Sequence, residues 1–501
     1  MTTRPVALLA TLCALNAAHA APVDTPTSLL LITADSLVEA WQPFADWKTQ
    51  QGKRTAIVTV DQILERYEAD TVQEAIRLCV RDHIDHHGTE WVLLGGDAEG
   101  VGGLVPGGHT TYHRQEPAGI PTDIVYLSPT DWDADNDGRH GEFDDDRDAI
   151  TYPDGSVGLG RVPVRTGADV RAFTEKVVAY ESAYPENGFA TRMVYTCTDA
   201  PAYNKVRASW DRYVSEGWDA DVRRLFNHAS DWDPEGEPGG YDLSSHNVVS
   251  LINEGAAGKV HIHGHGLIDR WILERSHFTA HDIDRLTNAR ALPLITTVSC
   301  FTGQYDDAQD PCIVESMLRA PAGGSVAIVA PVRTGKPHMH TRDDYRLMVR
   351  EGKLDGTTMT MTQYWAIGLS GGLTTGEALM NAKRTLIDDA RRSASYHLCI
   401  CEINLLGDPT LDMRPRDVRT PSVGLPEAPL ATGPGTLTVR TDAPGATVCA
   451  WMRGGVYEVA RADETGVATL AIDPHDPGEL LVTVSGKSLN TVARTVPVVT
   501  P

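Results

Sequence analysis

Lys259-Val260-His261-Ile262-His263 runs into Gly264-His265-Gly266, and thirty-five residues after that histidine Leu294-Ile295-Thr296-Thr297-Val298-Ser299 runs into Cys300-Phe301-Thr302-Gly303. Each stretch reads as a strand ending in a glycine-containing turn. His265 and Cys300 then fall at the carboxyl edge of a sheet, where open α/β folds place ligands. If the two strands are parallel neighbours, both side chains reach one rim. A thiol becomes a good nucleophile near neutral pH when a base or positive charge stands beside it, and histidine supplies that. Gly266 lets its backbone N–H approach a substrate carbonyl oxygen, and with the N–H of Cys300 it would form an oxyanion hole. Plainer readings compete. A cysteine at a strand end is usually a small buried hydrophobe, and a histidine beside glycine is usually a polar loop residue. The alternation of His261, His263 and His265 also suits metal ligands on one strand face, although no carboxylate follows in the usual hydrolase order.

A second group of residues points to a cation. From Asp133 the chain reads Asp133-Ala134-Asp135-Asn136-Asp137-Gly138-Arg139, with Asp144 at the twelfth position. Carboxylates at positions 1, 3 and 5, glycine at 6 and a main-chain carbonyl at 7 form a calcium-loop arrangement of hard oxygen donors around a tight turn. Asp133, Asp135, Asp137, Arg139 and Asp144 are therefore expected to hold a structural Ca²⁺. A solvated acidic loop is the alternative.

The elements that must position these groups follow from periodicity. Apolar runs at Leu29–Thr33, Arg54–Val60 and Trp91–Asp97 alternate with amphipathic stretches at Leu37–Gln50 and Val72–Ile84. Such alternation predicts a parallel sheet flanked by helices. It resumes with a helix over Asp169–Tyr184 and strands at Arg192–Thr196, Lys259–His263, Leu292–Ser299 and Ser325–Val329. Two αβα units result, side by side or as one continuous sheet. Met413–Leu430, rich in Pro and Arg, reads as a linker. Beyond it, short alternating strands at 437–440, 447–451, 468–472 and 479–484 predict a small β-sandwich of immunoglobulin type. The expected division is residues 21–165 and 166–414 for the two halves of an αβα region, 415–434 for a linker and 435–501 for the sandwich.

With 501 residues and a net charge of -24, the chain is too long for one core and would repel nucleic acid and anionic membranes. Residues 1–20 carry a basic Arg4, a short apolar run and Ala18-His19-Ala20, the pattern of a cleavable signal peptide, so the mature chain is expected to be secreted or at the cell surface. Of eight cysteines Cys13 leaves with that segment. The odd remainder implies at least one free thiol in an oxidising compartment.

Several stretches resemble the gingipain family of caspase-like cysteine peptidases. Gly264-His265-Gly266 with Trp271 is similar to its histidine segment, and Ser276-His277-Phe278 and Leu286-Thr287-Asn288 to the connection towards the cysteine. Val298-Ser299-Cys300 matches the strand into the nucleophile, Asp310-Pro311-Cys312 with Glu315 the helix that follows, and Asn404–Leu411 the motif that closes the catalytic domain. The resemblance covers most of residues 28–490 in order. It implies an α/β fold: a caspase-like αβα catalytic region of two subdomains, then an immunoglobulin-like β-sandwich. It implies a secreted cysteine endopeptidase acting on protein or peptide substrates through Cys300 and His265, with the Gly266 and Cys300 amides as oxyanion hole. Family members also orient the histidine with an acidic residue just before a Val-x-x-Gly-Arg strand. Ser156 takes that place here, and Asp154 is the nearest substitute. Arginine-specific members use a buried aspartate for the substrate side chain. Asp169 falls near that place but suits a helix cap equally well. A sortase-like transpeptidase that passes its thioester to an amine, and a non-catalytic surface module of the same fold, are the competing functions.

Overall fold

A computed structural model describes residues 26–98, 104–108, 110–113, 116–198, 218, 220–226, 240–273, 276–307, 311–335 and 356–501. The expected signal peptide lies outside the described residues.

The alternation read from sequence is present from the first strand. β1 (Leu29–Thr33), α1 (Val38–Gln50), β2 (Thr55–Thr59), α2 (Val60–Arg66), α3 (Val72–His87) and β3 (Trp91–Gly95) follow in order. β1 and β3 are buried along their whole length, as apolar runs covered on both faces must be. A hairpin of β4 (Thr110–His113) and β5 (Glu116–Pro121) precedes β6 (Gly158–Val162) and α4 (Gly167–Ser182). Thr166 caps α4, and Asp169 returns the bond to the Thr166 N–H, completing a capping box. β7 (Arg192–Cys197), β8 (Asp221–Phe226), β9 (Gly240–Asp242), α5 (Ser245–Asn253) and β10 (Lys259–His263) come next. A small antiparallel sheet of β11 (His265–Leu267), β12 (Arg270–Leu273) and β13 (Ser276–Thr279) interrupts the pattern. It resumes with α6 (Ala280–Ile283), β14 (Leu294–Thr297), α7 (Ile313–Arg319) and β15 (Ala327–Pro331), then α8 (Gly356–Gly371), α9 (Thr375–Arg384), α10 (Ile387–Ala390), α11 (Ala394–Glu402) and β16 (Ile403–Gly407).

The two αβα halves share one eleven-stranded sheet in the order β2-β1-β3-β6-β16-β15-β14-β10-β7-β8-β9. The strand that joins them is the last to be made. β16 pairs antiparallel with β15 and meets β6 through Leu406 and Arg161. Gly407 ends β16 at φ 141°, and a Cβ there would lie 2.5 Å from both the Ala327 Cα and the Val326 carbonyl oxygen. That close approach is what the glycine of the closing motif provides. Cys399 and Cys401 lie on α11, where residues two apart do not face each other. None of the seven described cysteines is in a disulfide.

The C-terminal region has its own core. β17 (Leu430–Ala431), β19 (Thr447–Met452), β20 (Val456–Arg461), β22 (Gly478–Ser485) and β23 (Val492–Val499) form one sheet, and β18 (Gly435–Arg440) with β21 (Val467–Ile472) the other. The Pro-rich linker is not loose. Arg419 and Gly424 exchange backbone bonds with Ser488, Asn490 and Arg440 of the sandwich, because a buried or half-buried backbone must find partners.

Sandwich and sheet meet at a buried charge cluster. Lys48, fully buried near the end of α1, places its ammonium 2.8 Å from Glu181 on α4 and 2.6 Å from Asp408 just after β16. Trp47 and Gln51 also donate to Glu181, and the Thr491 N–H of the sandwich bonds the Glu181 carbonyl at 2.7 Å. Burial alone would raise the Glu181 carboxyl, but Lys48 and then Lys53 outweigh it and bring it down to about 2. A carboxylate depressed on folding adds stability above its unfolded value of about 4.3 and loses it as pH falls through the folded value. Glu181→Gln is therefore expected to cost about 3–5 kcal/mol at neutral pH. It should also flatten the loss of stability between about pH 4 and 2, read by denaturant unfolding across pH.

Candidate active site

β10 and β14 are parallel neighbours, with His261 opposite Thr296 and Ile262 opposite Thr297. Both strands are fully buried and both chains emerge on the same rim, as the spacing implied. Past β14 the backbone turns sharply. Ser299 N–H bonds the Thr297 hydroxyl at 3.0 Å, and the Thr302 hydroxyl bonds the Ser299 carbonyl at 2.8 Å. Phe301, directly after Cys300, has φ 62°, the left-handed conformation rare for a bulky residue. It is held there by its N–H, which bonds the Arg333 carbonyl at 2.9 Å. The Arg333 guanidinium in turn grips Asp306 with two bonds of 2.8 and 2.6 Å and the Gly119 carbonyl at 2.9 Å. No feature of the sequence marked Arg333 or the strain at Phe301, because both arise from a partner strand that follows in the chain.

The histidine side is built by β11. His265 is exposed and Gly266 is buried. A Cβ at Gly266 would lie 2.6 Å from Thr302 Cγ2, 2.8 Å from Ser299 Cβ and 2.9 Å from the Cys300 carbonyl oxygen. Gly266 thus seats the histidine strand directly on the cysteine turn, a contact that any side chain would hold open. The alternation of a strand then turns His265 and Leu267 to the open face. Cys300 is partly exposed, with its sulfur 3.9 Å from the Gly335 carbonyl oxygen. The other six described cysteines are buried. Burial pushes the Cys79 and Cys449 thiols up to about 12 and Cys312 well above its ordinary value.

His261 and His263 belong to the core. His261 bonds the Thr296 hydroxyl at 2.7 Å and lies against Tyr195. Burial, with His263 beside it, holds its imidazole well below the ordinary value and so neutral at pH 7. With His265 on another sheet, the three histidines do not converge on one point. Glu315 accepts the Cys312 N–H at 2.7 Å and caps α7, while Arg319 links it to Asp97. Asp154 is a correction. Its carboxylate accepts the Ser156 N–H at 2.8 Å and its carbonyl bonds Arg384 on α9. β6, which it precedes, is separated from β10 by β16, β15 and β14. At about 4.8 Å per strand it does not reach His265. Ser156 is exposed beside it.

In the acidic loop the carboxylates of Asp133, Asp135 and Asp137 gather, with donor atoms within 4.8 Å of one another. Asp133 accepts the N–H groups of Asp137 and Gly138, and Asn136 and Gly138 take the left-handed turn. The Arg139 side chain pairs with Glu142 at 2.6 Å, leaving only its main chain to the loop. Asp144 is exposed and stands outside the three-carboxylate group. The inward residue is Asp146, which accepts from Ala134 and Glu142 N–H groups at 2.6 and 2.9 Å. A pattern counted to twelve places Asp144 at the end. The turn that closes after Glu142 brings in Asp146 instead.

The model of peptidase family C25 matches residues 23–414. The chain belongs to peptidase family C25. That is a family of cysteine-type peptidases, in agreement with the motifs around His265 and Cys300. Gingipain R1 of Porphyromonas gingivalis is 22% identical over 484 residues, spanning 93% of this chain and 42% of that protein. Gingipain R2 of the same species is 22% identical over 315 residues, 60% of this chain and 36% of its own length. This chain therefore spans less than half the length of these curated relatives. The crystal structure of the Arg specific cysteine proteinase gingipain R matches with a TM-score of 0.70 at 20% identity, over 95% of this chain and 98% of that one. The complex of its pro- and mature domains matches at 0.68 and 19% identity, over 94% and 100%. The shared fold is the expected αβα catalytic region followed by a β-sandwich.

One partly exposed thiol among buried ones has a direct consequence. Iodoacetamide on the native chain is expected to modify Cys300 first, with about one equivalent incorporated, and Cys300→Ser to remove that rapid uptake. Peptide mapping after short exposure reads the outcome.

Proposed function

We propose that this chain is a secreted cysteine endopeptidase that hydrolyses protein substrates. The observation that carries the reading is the seating of Gly266 against Ser299, Cys300 and Thr302, which puts His265 and the one partly exposed described thiol on the same rim. The Cys300 thiolate attacks the carbonyl carbon of the scissile peptide. The Gly266 and Cys300 N–H groups receive the charge that develops on the carbonyl oxygen. His265 gives a proton to the leaving amine as the C–N bond breaks, leaving a thioester on Cys300. It then takes a proton from water, whose oxygen attacks the thioester; the C–S bond breaks, freeing the acid product and restoring the Cys300 thiolate beside protonated His265. Export rests on the signal-like residues 1–20, and among the described residues no helix is long and apolar enough to cross a membrane.

Incubation of the mature chain with a peptide library, both new termini being read by mass spectrometry, tests the reading. Cys300→Ala and His265→Ala are expected to lower kcat/KM by at least about a thousandfold. Unchanged cleavage by Cys300→Ala would overturn it.

The acidic loop is proposed to bind a structural Ca²⁺ through Asp133, Asp135, Asp137 and the Arg139 carbonyl. Three carboxylates drawn together repel one another unless a cation compensates. Burial first, and then Asp133 and Asp135 among its neighbours, raise the carboxyl of Asp146 at the inner side of the same loop. A chelator is expected to lower Tm by several degrees, and added Ca²⁺ to restore it, with Asp133→Ala insensitive to both.

A further inference from the structure

An open groove of about 800 Å³ lies beside the catalytic segments, lined by Leu267, Ile268, Phe301 and Pro311 and by the acidic Asp269 and Asp307. Leu267 is 49% exposed, one of few large apolar side chains so open to water among the described residues. It is not an isolated surface leucine. Two of the groove's walls are the residues that directly continue the catalytic segments: Leu267 stands two places after His265, and Phe301 one place after Cys300. Phe301 is turned towards its place by the left-handed backbone at φ 62°. The floor is fixed too, since the Ile313 N–H of α7 bonds the Ile268 carbonyl at 2.7 Å. Asp269, in the groove wall, is held by Arg270 at 2.8 Å, so its charge is partly met.

The side of the scissile bond that this groove serves follows from the strand order. The cysteine turn comes from β14, between β15 on one flank and β10 on the other. The Cys300 sulfur lies 3.9 Å from the Gly335 carbonyl on the β15 flank. The groove takes Leu267 and Ile268 from the segment that begins at His265, and so borders the flank on which that histidine stands. His265 must reach the leaving nitrogen, so that flank is the one crossed by the departing amine product. Leu267 and His265 share a face of β11 and are about 6–7 Å apart along it, the reach of two residues of an extended peptide.

We propose that this groove is a specificity subsite for the leaving side of the substrate, taking an apolar side chain one or two residues beyond the scissile bond. The proposal rests on the peptidase reading above. Burying an acidic side chain against Leu267, Ile268 and Phe301 without a partner is costly, so acidic residues there are disfavoured.

The test uses the full mature chain and a proteome-derived peptide library, followed by synthetic pairs that are identical up to the cleaved bond. Each pair carries Leu or Asp at one of the first two positions beyond that bond. The Leu peptide is expected to be cleaved at least about tenfold better in kcat/KM at one position, the discrimination an apolar pocket gives. Leu267→Asp should bring that ratio close to one and shift library cleavage towards basic residues at the same position, while Leu267→Met keeps the parent ratio. A variant that is merely misfolded loses both peptides together and leaves the ratio unmoved. A flat leaving-side profile in the parent chain, or an unchanged Leu/Asp ratio in a Leu267→Asp variant that still cleaves the Leu and Asp peptides at the parent rate, overturns the subsite. Cleavage that survives Cys300→Ala instead overturns the peptidase reading, a separate outcome.

Discussion

A lysine ammonium with no access to water needs polar partners, and Lys48 finds two carboxylates that lie far apart in the chain. Glu181 arrives on α4, and Asp408 arrives after β16, the last strand of the catalytic sheet. The cluster therefore closes only when β16 has been inserted between β6 and β15. The same Glu181 offers its carbonyl to Thr491 of the sandwich. One desolvated charge thus couples the first helix, the joining strand and the C-terminal domain. Its energetic logic is asymmetric, since a completed buried ion pair gives little net stability while a broken one is costly. Such a cluster selects the complete assembly over any part of it.

The rim depends on that assembly. β15 leads into Arg333, whose carbonyl fixes Phe301, and β10 leads into β11, which Gly266 lays on the cysteine turn. Both strands are positioned by the sheet, whose halves β16 unites. The candidate active site is thus a surface feature with a deeply buried cause. The thiol is partly exposed and the histidine exposed, so the chemistry is left to side chains with room to move. The backbone at Gly266 beneath them is fixed by close packing, as the proposed oxyanion binding requires.

Much of the αβα region was legible because its strands are buried on both faces and read as unbroken apolar runs. Lys259–His263 was placed to the residue, and the pairing of its neighbour Leu294–Thr297 followed. Other parts were not legible for definite reasons. Cys399–Cys401 sits in an apolar run that serves a buried helix as well as a strand, and only tertiary packing decides between them. β20 is half-exposed with charged residues, so its alternation is weak. The linker reads as flexible from its prolines, yet it finds backbone partners along the sandwich. Several motif residues prove to be structural on inspection: Glu315 caps α7, Gly407 permits a close approach, and Asp408 neutralises Lys48.

Local chemistry was determined by the chain itself. A histidine and a cysteine each followed a strand and preceded a turn, and Gly266 was needed wherever a backbone donor had to come close. These are properties of residue type and short-range spacing. The convergence of groups from distant segments was decided only in three dimensions. Asp154 had the right sequence neighbourhood but lies four strands away from the histidine it was expected to orient, and Asp144 had the right count but the loop turned Asp146 inward. Leu267 and Phe301 carried no mark of a shared groove. Spacing along a chain fixes which face a side chain takes, whereas the distance between two faces is set by strand order, which is a property of the whole sheet.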